Sequence, residues 1–188
     1  MNKSTCNPWQ ATKKQPWFSW LLIALLCSSL FATEGDSASR SVYSSLKQCR
    51  NTAYQGQPAR ECIGIGGWRL MVVSESDRSY LVLRRKGYDK SLRDDIFSER
   101  IGQFPEILAT SRAEWRLGET GRPHALIFRV FAVDPNKNLQ EDSNPYKSSL
   151  LVVRLGQTAC ALGVVNDNKL ARELADSDAE CEKGRRAQ

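Results

Sequence analysis

Apolar and polar residues alternate in short segments along the middle and C-terminal parts of the chain. The segments "WRLMVV" (68–73) and "YLVLRR" (80–85) are separated by the polar turn "SESDRS", and this arrangement predicts a β-hairpin. The same alternation predicts four further strands, the last two joined as a hairpin around Gly156 and Gln157: "AEWRLG" (113–118), "HALIFRVFAV" (124–133), "SLLVVRLG" (149–156) and "TACALGVV" (158–165).

Helical spacing is found in two places. "SLRDDIFSERIGQF" has a capping-box pattern, with Ser91 followed by Asp94, and predicts a short helix. "NDNKLARELADSDAEC" begins with an Asn or Asp cap and predicts a helix over Lys169–Cys181. We therefore expect a single α+β domain over residues 40–182, with an antiparallel sheet of five to seven strands flanked by the C-terminal helix. "NTAYQGQPARE" (51–61), with its Gly and Pro, is predicted to be a loop, and "KGYDK" (86–90) a break.

The N-terminal segment is typical of a signal peptide. Three lysines precede an apolar run over Leu21–Ala32, which is too short for a comfortable membrane span of about 20 residues. Small residues place cleavage after Ala32 or near Ser39, so residues 1–39 are predicted to be a signal peptide and linker. Residues 183–188 are predicted to be a disordered basic tail. Retention of the run as an anchor, or lipidation at Cys27, fits the flanking residues less well. We expect a periplasmic or secreted protein with no stable membrane span after processing.

Four cysteines remain after removal of the leader, and an even number in an exported domain predicts two disulfides. Three pairings are possible. Cys160 shares a strand face with Leu162 and Val164, and Cys181 shares the predicted helix face with Leu170 and Leu174, which favours Cys160–Cys181. Cys49–Cys62 would then be the second pair, although both crossed pairings stay open. The cysteine spacing contains no C-x-x-C and argues against a metal site.

A glycine-rich stretch, "CIGIGGW" (62–68), invites comparison with phosphate-binding loops. Such loops follow a strand and open a helix, whose N-terminus binds the phosphate. Here a predicted loop precedes the glycines and a strand follows them. The stretch is therefore interpreted as a tight backbone path leading from Cys62 into the strand, and no nucleotide or other cofactor is predicted.

Charge excludes one class of function. From Arg40 onward the chain has 24 Lys and Arg against 19 Asp and Glu, a mildly basic and evenly mixed set. Nucleic-acid-binding proteins concentrate their cations on one face or tract, so no nucleic-acid partner is predicted. "DPNKN" (134–138) begins like a calcium loop, but Leu139 occupies the position that requires Gly and Pro145 that of the bidentate Glu. A turn is the better interpretation.

The residues available for catalysis are few. His124 is the one histidine of the chain, and no G-x-S-x-G motif supplies a nucleophilic serine. Asp94, Asp95 and Glu99 form a carboxylate group, but basic neighbours at helical spacing favour a surface of ion pairs. A non-catalytic binding or envelope-accessory protein is therefore predicted. The alternative is a small periplasmic hydrolase that uses these carboxylates with His124.

Five predicted strands each place an arginine among apolar residues: Arg69, Arg84, Arg116, Arg129 and Arg154. An unpaired guanidinium is costly to bury, so each should reach water or a carboxylate. We expect Arg69, Arg116, Arg129 and Arg154 to line one sheet face and to bind an acidic partner, either a protein or a carboxylated glycan. Two other outcomes stay open: a solvated face neutralised by nearby glutamates, or a covered face whose arginines extend to its rim.

Three segments, "CIGIGGWRLMV", "AEWRLGETGRPHALIFRV" and "ACALGVVNDNKLARELADSDAEC", resemble a family of small exported bacterial proteins of uncharacterised function. The shared pattern is a Cys-x-Gly-x-Gly-Gly-aromatic entry, a Glu-Trp-Arg strand, and a late Cys followed by an ARELAD-like helix ending in Cys. The resemblance covers most of Cys49–Cys181. It implies bacterial export and paired cysteines, and it assigns no catalytic residue.

Overall fold

The structure, a computed structural model, describes residues 39–138 and 144–181. The predicted signal peptide and basic tail lie outside the described residues. Within them the elements are β1 Arg40–Ser45, β2 Arg50–Tyr54, β3 Gln57–Ile63, β4 Arg69–Glu75, β5 Arg78–Arg85, β6 Tyr88–Ser91, α1 Arg93–Ile96, β7 Gln103–Glu106, β8 Arg112–Leu117, β9 Pro123–Val133, β10 Tyr146–Arg154, β11 Cys160–Val165 and α2 Asn168–Asp176.

The strands form two antiparallel sheets. Sheet 1 has the order β1-β8-β9-β10-β11, and β7 also pairs with β9; sheet 2 is the meander β2-β3-β4-β5-β6. The predicted antiparallel pairing and C-terminal helix are confirmed. The prediction of one sheet with five to seven strands is wrong, because the described residues contain eleven strands in two sheets. The additional strands are short or polar, so no run of alternating apolar residues marks them.

A hydrophobic core joins the two sheets. Its buried side chains include Trp68 and Trp115, which are 2% and 0% exposed. Gly64 lies directly against both: a Cβ there would be 2.6 Å from the Trp115 ring and 2.7 Å from the Trp68 carbonyl oxygen. The predicted role of this glycine stretch as a close backbone passage is therefore confirmed at Gly64.

The other face of sheet 1 is covered by α2. Asp167 caps this helix, accepting hydrogen bonds from the backbone N–H groups of Lys169 and Leu170 at 2.8 and 3.0 Å. Two buried alanines of α2, Ala171 and Ala175, pack on apolar side chains of the sheet: Ala125, Ile127, Leu150, Val152 and Leu162. The helix ends at Asp176, five residues before its predicted end, because Ser177 has extended backbone angles.

The polar stretch from Arg50 to Ile63 forms the β2–β3 hairpin and not the predicted loop. Gln55 and Gly56 connect its strands with φ angles of 49° and 81°, the positive values that a tight two-residue hairpin turn requires. The predicted break at 86–90 likewise includes the start of β6. α1 is a single turn. Leu92 at its N-terminus makes no side-chain cap, but Ser91 Oγ accepts a hydrogen bond from the backbone N–H of Arg93 at 3.2 Å, so the serine half of the predicted capping box is present.

Both disulfides of the preferred pairing are present. The Cα atoms of Cys49 and Cys62 are 4.4 Å apart, and those of Cys160 and Cys181 are 5.7 Å apart. The first bridge links the segment before β2 to β3, and the second ties the segment after α2 to β11. Two disulfides indicate an oxidising, extracytoplasmic environment.

Candidate binding surface

Three of the four predicted binding arginines share one face of sheet 1. Arg116 on β8 and Arg154 on β10 are both in register with Ala125 of β9, and Arg129 lies four residues further along β9. Because side chains alternate along a strand, these arginines point to the same side of the sheet. Ala125 belongs to the apolar cluster under α2, so this is the face that the helix covers. The structure therefore has the covered arrangement and not an open cationic face.

Arg116 is the most deeply buried of the three, with 9% of its side chain exposed. Its Nε donates to Asp176 Oδ1 at 3.1 Å and its Nη2 to Asp176 Oδ2, while Nη1 donates to Ser41 Oγ. A second carboxylate, that of Glu114, lies 3.7 Å away. The guanidinium is thus fully engaged in joining β8, β1 and the end of α2.

The other two arginines also bind intramolecular partners. Arg154 donates through Nη2 to the backbone oxygens of Ser177 and Ala179, which lie just beyond α2. Arg129 donates to Ser148 Oγ at 2.8 Å and to Asn168 Oδ1 at 3.4 Å. These contacts fix the two ends of the helix on sheet 1, so the arginines of this face serve primarily to hold the helix.

Glu114 is the second anchor for α2. Arg172 on the helix donates to both Glu114 oxygens, at 2.7 and 3.2 Å, and Ser41 Oγ donates at 2.5 Å. Burial raises the pKa of Glu114, but the hydrogen bonds from Arg172, Ser41 and Tyr43 and the charge of Arg172 together lower it more, so the net pKa lies below the ordinary value. The same ion pair raises the pKa of Arg172. Glu114 is therefore a charged, satisfied group in the folded protein.

Arg69 lies in the other sheet, so the four arginines do not line one face. On sheet 2 it joins Arg50 and Arg84 around the carboxylate of Glu61, with N···O distances of 3.4 Å from Arg69, 3.1 Å from Arg50 and 3.8 Å from Arg84. We call these four residues the Glu61 cluster. Strand pairing brings these residues together, since Arg50 on β2 is directly opposite Glu61 on β3 and Arg69 on β4 is directly opposite Arg84 on β5.

Exposure separates the Glu61 cluster from the face beneath the helix. The Glu61 side chain is 8% exposed, whereas those of Arg50, Arg69 and Arg84 are 77%, 54% and 38% exposed. Asp89 binds Arg84 through two hydrogen bonds of 2.8 Å, which lower the pKa of Asp89. Three cations thus face two carboxylates, and the cluster keeps a net positive charge at the surface.

An exposed apolar side chain adjoins the Glu61 cluster. Ile63 is 79% exposed, is in register with Arg69, and lies two residues from Glu61 on the same face of β3. Exposed arginine beside an exposed aliphatic group is a common composition of protein interfaces. Sequence reasoning identified Arg69 and Arg84 but missed Arg50 and Glu61. The alternate positions Ala59, Glu61 and Ile63 were the available signal of a strand face, but most of this stretch lies in the segment predicted to be a loop.

The residues of the hydrolase alternative lie in different parts of the fold. Asp94 and Asp95 belong to α1 and Glu99 follows it, on the side of β5. Asp94 is paired with Arg93 at 3.8 Å. His124 lies near the start of β9, where its Nε2 is 3.1 Å from Asp176 Oδ1. The carboxylate beside His124 is therefore one that already binds Arg116, and these contacts give the hydrolase no support.

The calcium-like segment forms a local turn. Asp134 Oδ1 accepts hydrogen bonds from the backbone N–H and the side-chain amide of Asn136, at 3.1 and 3.2 Å. This oxygen is thus used within the turn, as the sequence interpretation expects. Across residues 39–138 and 144–181, no group of three or more His, Cys, Asp or Glu side chains is arranged to hold a metal ion.

Comparison of the chain with protein-family models, with curated proteins and with solved structures finds no match. The resemblance to a family of small exported proteins therefore stays a prediction. No helix in the part of the chain that the structure describes is long and apolar enough to cross a membrane.

Proposed function

We propose that this protein is an exported, non-catalytic binding or envelope-accessory protein, and that the Glu61 cluster with Ile63 binds an acidic segment of a partner protein. The observation that carries the proposal is the convergence of three arginines on one buried carboxylate. Glu61 positions their guanidinium groups, and the exposure of the arginines leaves donors available to a partner. Guanidinium groups held in this way bind carboxylates with defined geometry.

Ile63 favours a protein partner over a carboxylated glycan. A side chain that is 79% exposed gains by contacting an apolar group, which an acidic peptide supplies and a uniformly charged glycan does not. The two disulfides support export, because they persist in oxidising compartments. The partner is then an acidic segment carrying at least one apolar side chain.

The test is a calorimetric titration of the oxidised protein with defined probes. We expect a ten-residue Asp/Glu peptide with a central Leu to bind more tightly than the same peptide with Ser, and binding to weaken as salt increases. Arg69→Glu with Arg84→Glu should abolish binding. Arg112→Glu, an exposed arginine on β8, is the matched control and should bind as the original protein does.

Two results would contradict the proposal. One is equal binding of the peptide by the Arg69→Glu, Arg84→Glu protein. The other is binding of a galacturonate oligomer in preference to both peptides, which would indicate a glycan-binding surface. A preference for the Leu-containing peptide that disappears in Ile63→Ser would support the assignment of Ile63 to the surface.

A further inference from the structure

A surface groove of about 580 Å³ lies between β7 and the segment that follows α1, and it is lined by residues of β7 and of that segment, beginning at Phe97, together with Arg78 and Pro135. Its volume is within the range of small-ligand sites. It is lined by residues other than those of the Glu61 cluster, so what it binds does not depend on the function proposed for that cluster. Aromatic, proline, amide and charged side chains all contribute to its walls.

Phe104 is the exposed aromatic residue of the groove. It is 47% exposed, and its φ angle of 50° places a bulky side chain in the left-handed region that such residues rarely occupy. The β7–β9 register shifts between Gln103 and Glu106, so the irregular part of the strand consists of Phe104 and Pro105. The backbone thus adopts a costly conformation that leaves an aromatic ring at the surface, which is typical of binding sites.

Phe97 is the second aromatic residue that lines the groove. Its ring packs edge-on against Tyr80, with centroids 5.8 Å apart, and the guanidinium carbons of Arg78 and Arg93 lie 4.9 and 4.8 Å from its centroid. Glu75 holds Arg93 through hydrogen bonds of 2.8 and 2.6 Å. Contacts on several sides make Phe97 a rigid wall and leave Phe104 as the ring available to a ligand.

The polar groups of the groove match hydroxyl groups better than they match an anion. Gln103 supplies both a donor and an acceptor, Glu99 supplies acceptors and Arg78 supplies donors. Glu99 repels anions, and Asp77, 3.6 Å from Arg78, reduces the positive charge further. A neutral ligand that both donates and accepts hydrogen bonds satisfies this set.

The prolines of the groove disfavour an extended peptide. Pro105 and Pro135 have no backbone N–H, so neither can donate to a peptide strand laid along the groove. A sugar ring needs no such donors, because it presents an apolar C–H face to an aromatic ring and hydroxyl groups around its edge. We propose that this groove binds a neutral saccharide, with a sugar ring packed on Phe104 and its hydroxyl groups bonded to Gln103, Glu99 and Arg78.

Protein-detected NMR titration with neutral oligosaccharides tests the proposal. The probes are cellotetraose, maltotetraose and the tetramer of N-acetylglucosamine, each added to the oxidised protein. We expect at least one probe to shift the amide signals of Gln103, Phe104 and Glu99. Phe104→Asn should weaken that probe at least about tenfold, which is the loss expected of one aromatic contact.

The choice of Asn keeps the variant folded, since Asn tolerates the left-handed backbone region better than Phe. We expect Phe104→Asn to unfold at the same temperature as the original protein or a higher one, and Phe104→Tyr to retain binding. Leu170→Asn, an exposed residue of α2 outside the groove, is the control and should bind normally. The proposal is overturned if no neutral probe shifts these signals, if Phe104→Asn binds as tightly as the original protein, or if only anionic oligosaccharides bind.

Discussion

Arg116 of β8 and Asp176 at the end of α2 form a two-point ion pair between sheet 1 and the C-terminal helix. Ser41 of β1 and Glu114, two residues before Arg116, complete the surroundings of the guanidinium. The helix has only nine residues and would be marginal in isolation, so its position depends on such contacts and on the alanines it buries.

The Asp176→Ala variant tests this dependence. The Arg116 side chain is 9% exposed, and removal of its carboxylate leaves a buried cation without its main partner. We expect the free energy of unfolding to fall by about 3 kcal/mol, measured by urea denaturation. Glu173→Ala on the same helix removes only an exposed pair with Lys169 and should cost less than about 0.5 kcal/mol. Equal losses in the two variants would contradict the assigned role.

Acid should destabilise the protein through Glu114 and Asp176. Burial raises the pKa of each carboxyl, but several hydrogen bonds and the charge of the neighbouring arginine, Arg172 at Glu114 and Arg116 at Asp176, together lower it below the ordinary value in the folded protein. The stability they contribute is therefore present above the unfolded pKa of about 4 and is lost as the pH falls through the folded value.

The variant for this prediction is Glu114→Gln, which keeps the shape but not the charge. We expect its stability deficit to be largest at pH 7 and to shrink as the pH falls below the unfolded pKa of about 4 toward the lowered folded value. Urea denaturation at pH 7, 5 and 3 measures the deficit. A deficit that is constant across this range would show that the charge of Glu114 is not what matters.

Because Gly64 packs closely against two tryptophans, adding one methyl group at this position should strongly destabilise the fold. In Gly64→Ala the new carbon would meet the rigid Trp115 ring and the Trp68 carbonyl oxygen at under 3 Å. We expect a loss of about 1–3 kcal/mol, as for other overpacked cores. Gly118→Ala is the control, because its nearest neighbours would be 3.8 and 3.9 Å away. Thermal unfolding of the two variants decides the point.

How far the sequence predicts this fold depends on burial. β4, β5, β8, β9, β10 and β11 were predicted because their buried side chains form apolar runs. β2 and the turn at Gln55 are mostly exposed, so their polar residues resemble a loop. A strand at the edge of a sheet gains its order from backbone pairing, which leaves little trace in side-chain hydrophobicity.

The candidate site was predicted in part for the same reason. Arg69 and Arg84 were found because they interrupt apolar strands, but the sequence did not show which sheet each strand joins. Asp176 was missed as the partner of Arg116, since the two residues are 60 positions apart. The Cys160–Cys181 pair was predicted by extending α2 to Cys181. The pairing is confirmed, but the helix stops at Asp176 and an extended segment carries Cys181 to its partner.

The Cys160–Cys181 disulfide is expected to stabilise α2 on its sheet. The bridge closes a loop with a sequence separation of 21, which in the chain-entropy model contributes about 3 kcal/mol. The Cys160→Ser, Cys181→Ser protein should lose about that amount and show faster amide exchange over Asn168–Asp176 than over β9. Non-reducing peptide mapping verifies the pairing in the original protein; recovery of a crossed pair would contradict the structure.

Glu61 should act as the internal anion of its arginine cluster. In Glu61→Gln three guanidinium groups lose the carboxylate on which they converge, and we expect a loss of about 1 kcal/mol at low salt. A sulfate ion can take the place of the carboxylate, so millimolar sulfate should raise the unfolding temperature of this variant more than chloride of equal ionic strength does.

Sulfate also stabilises proteins in general, so two control proteins are measured beside Glu61→Gln: the original protein and Glu75→Gln, which loses the carboxylate that binds Arg93. An excess sulfate effect confined to Glu61→Gln would show that the cluster accepts an external anion. The same effect in all three proteins would show that the arginines do not form an anion-binding surface.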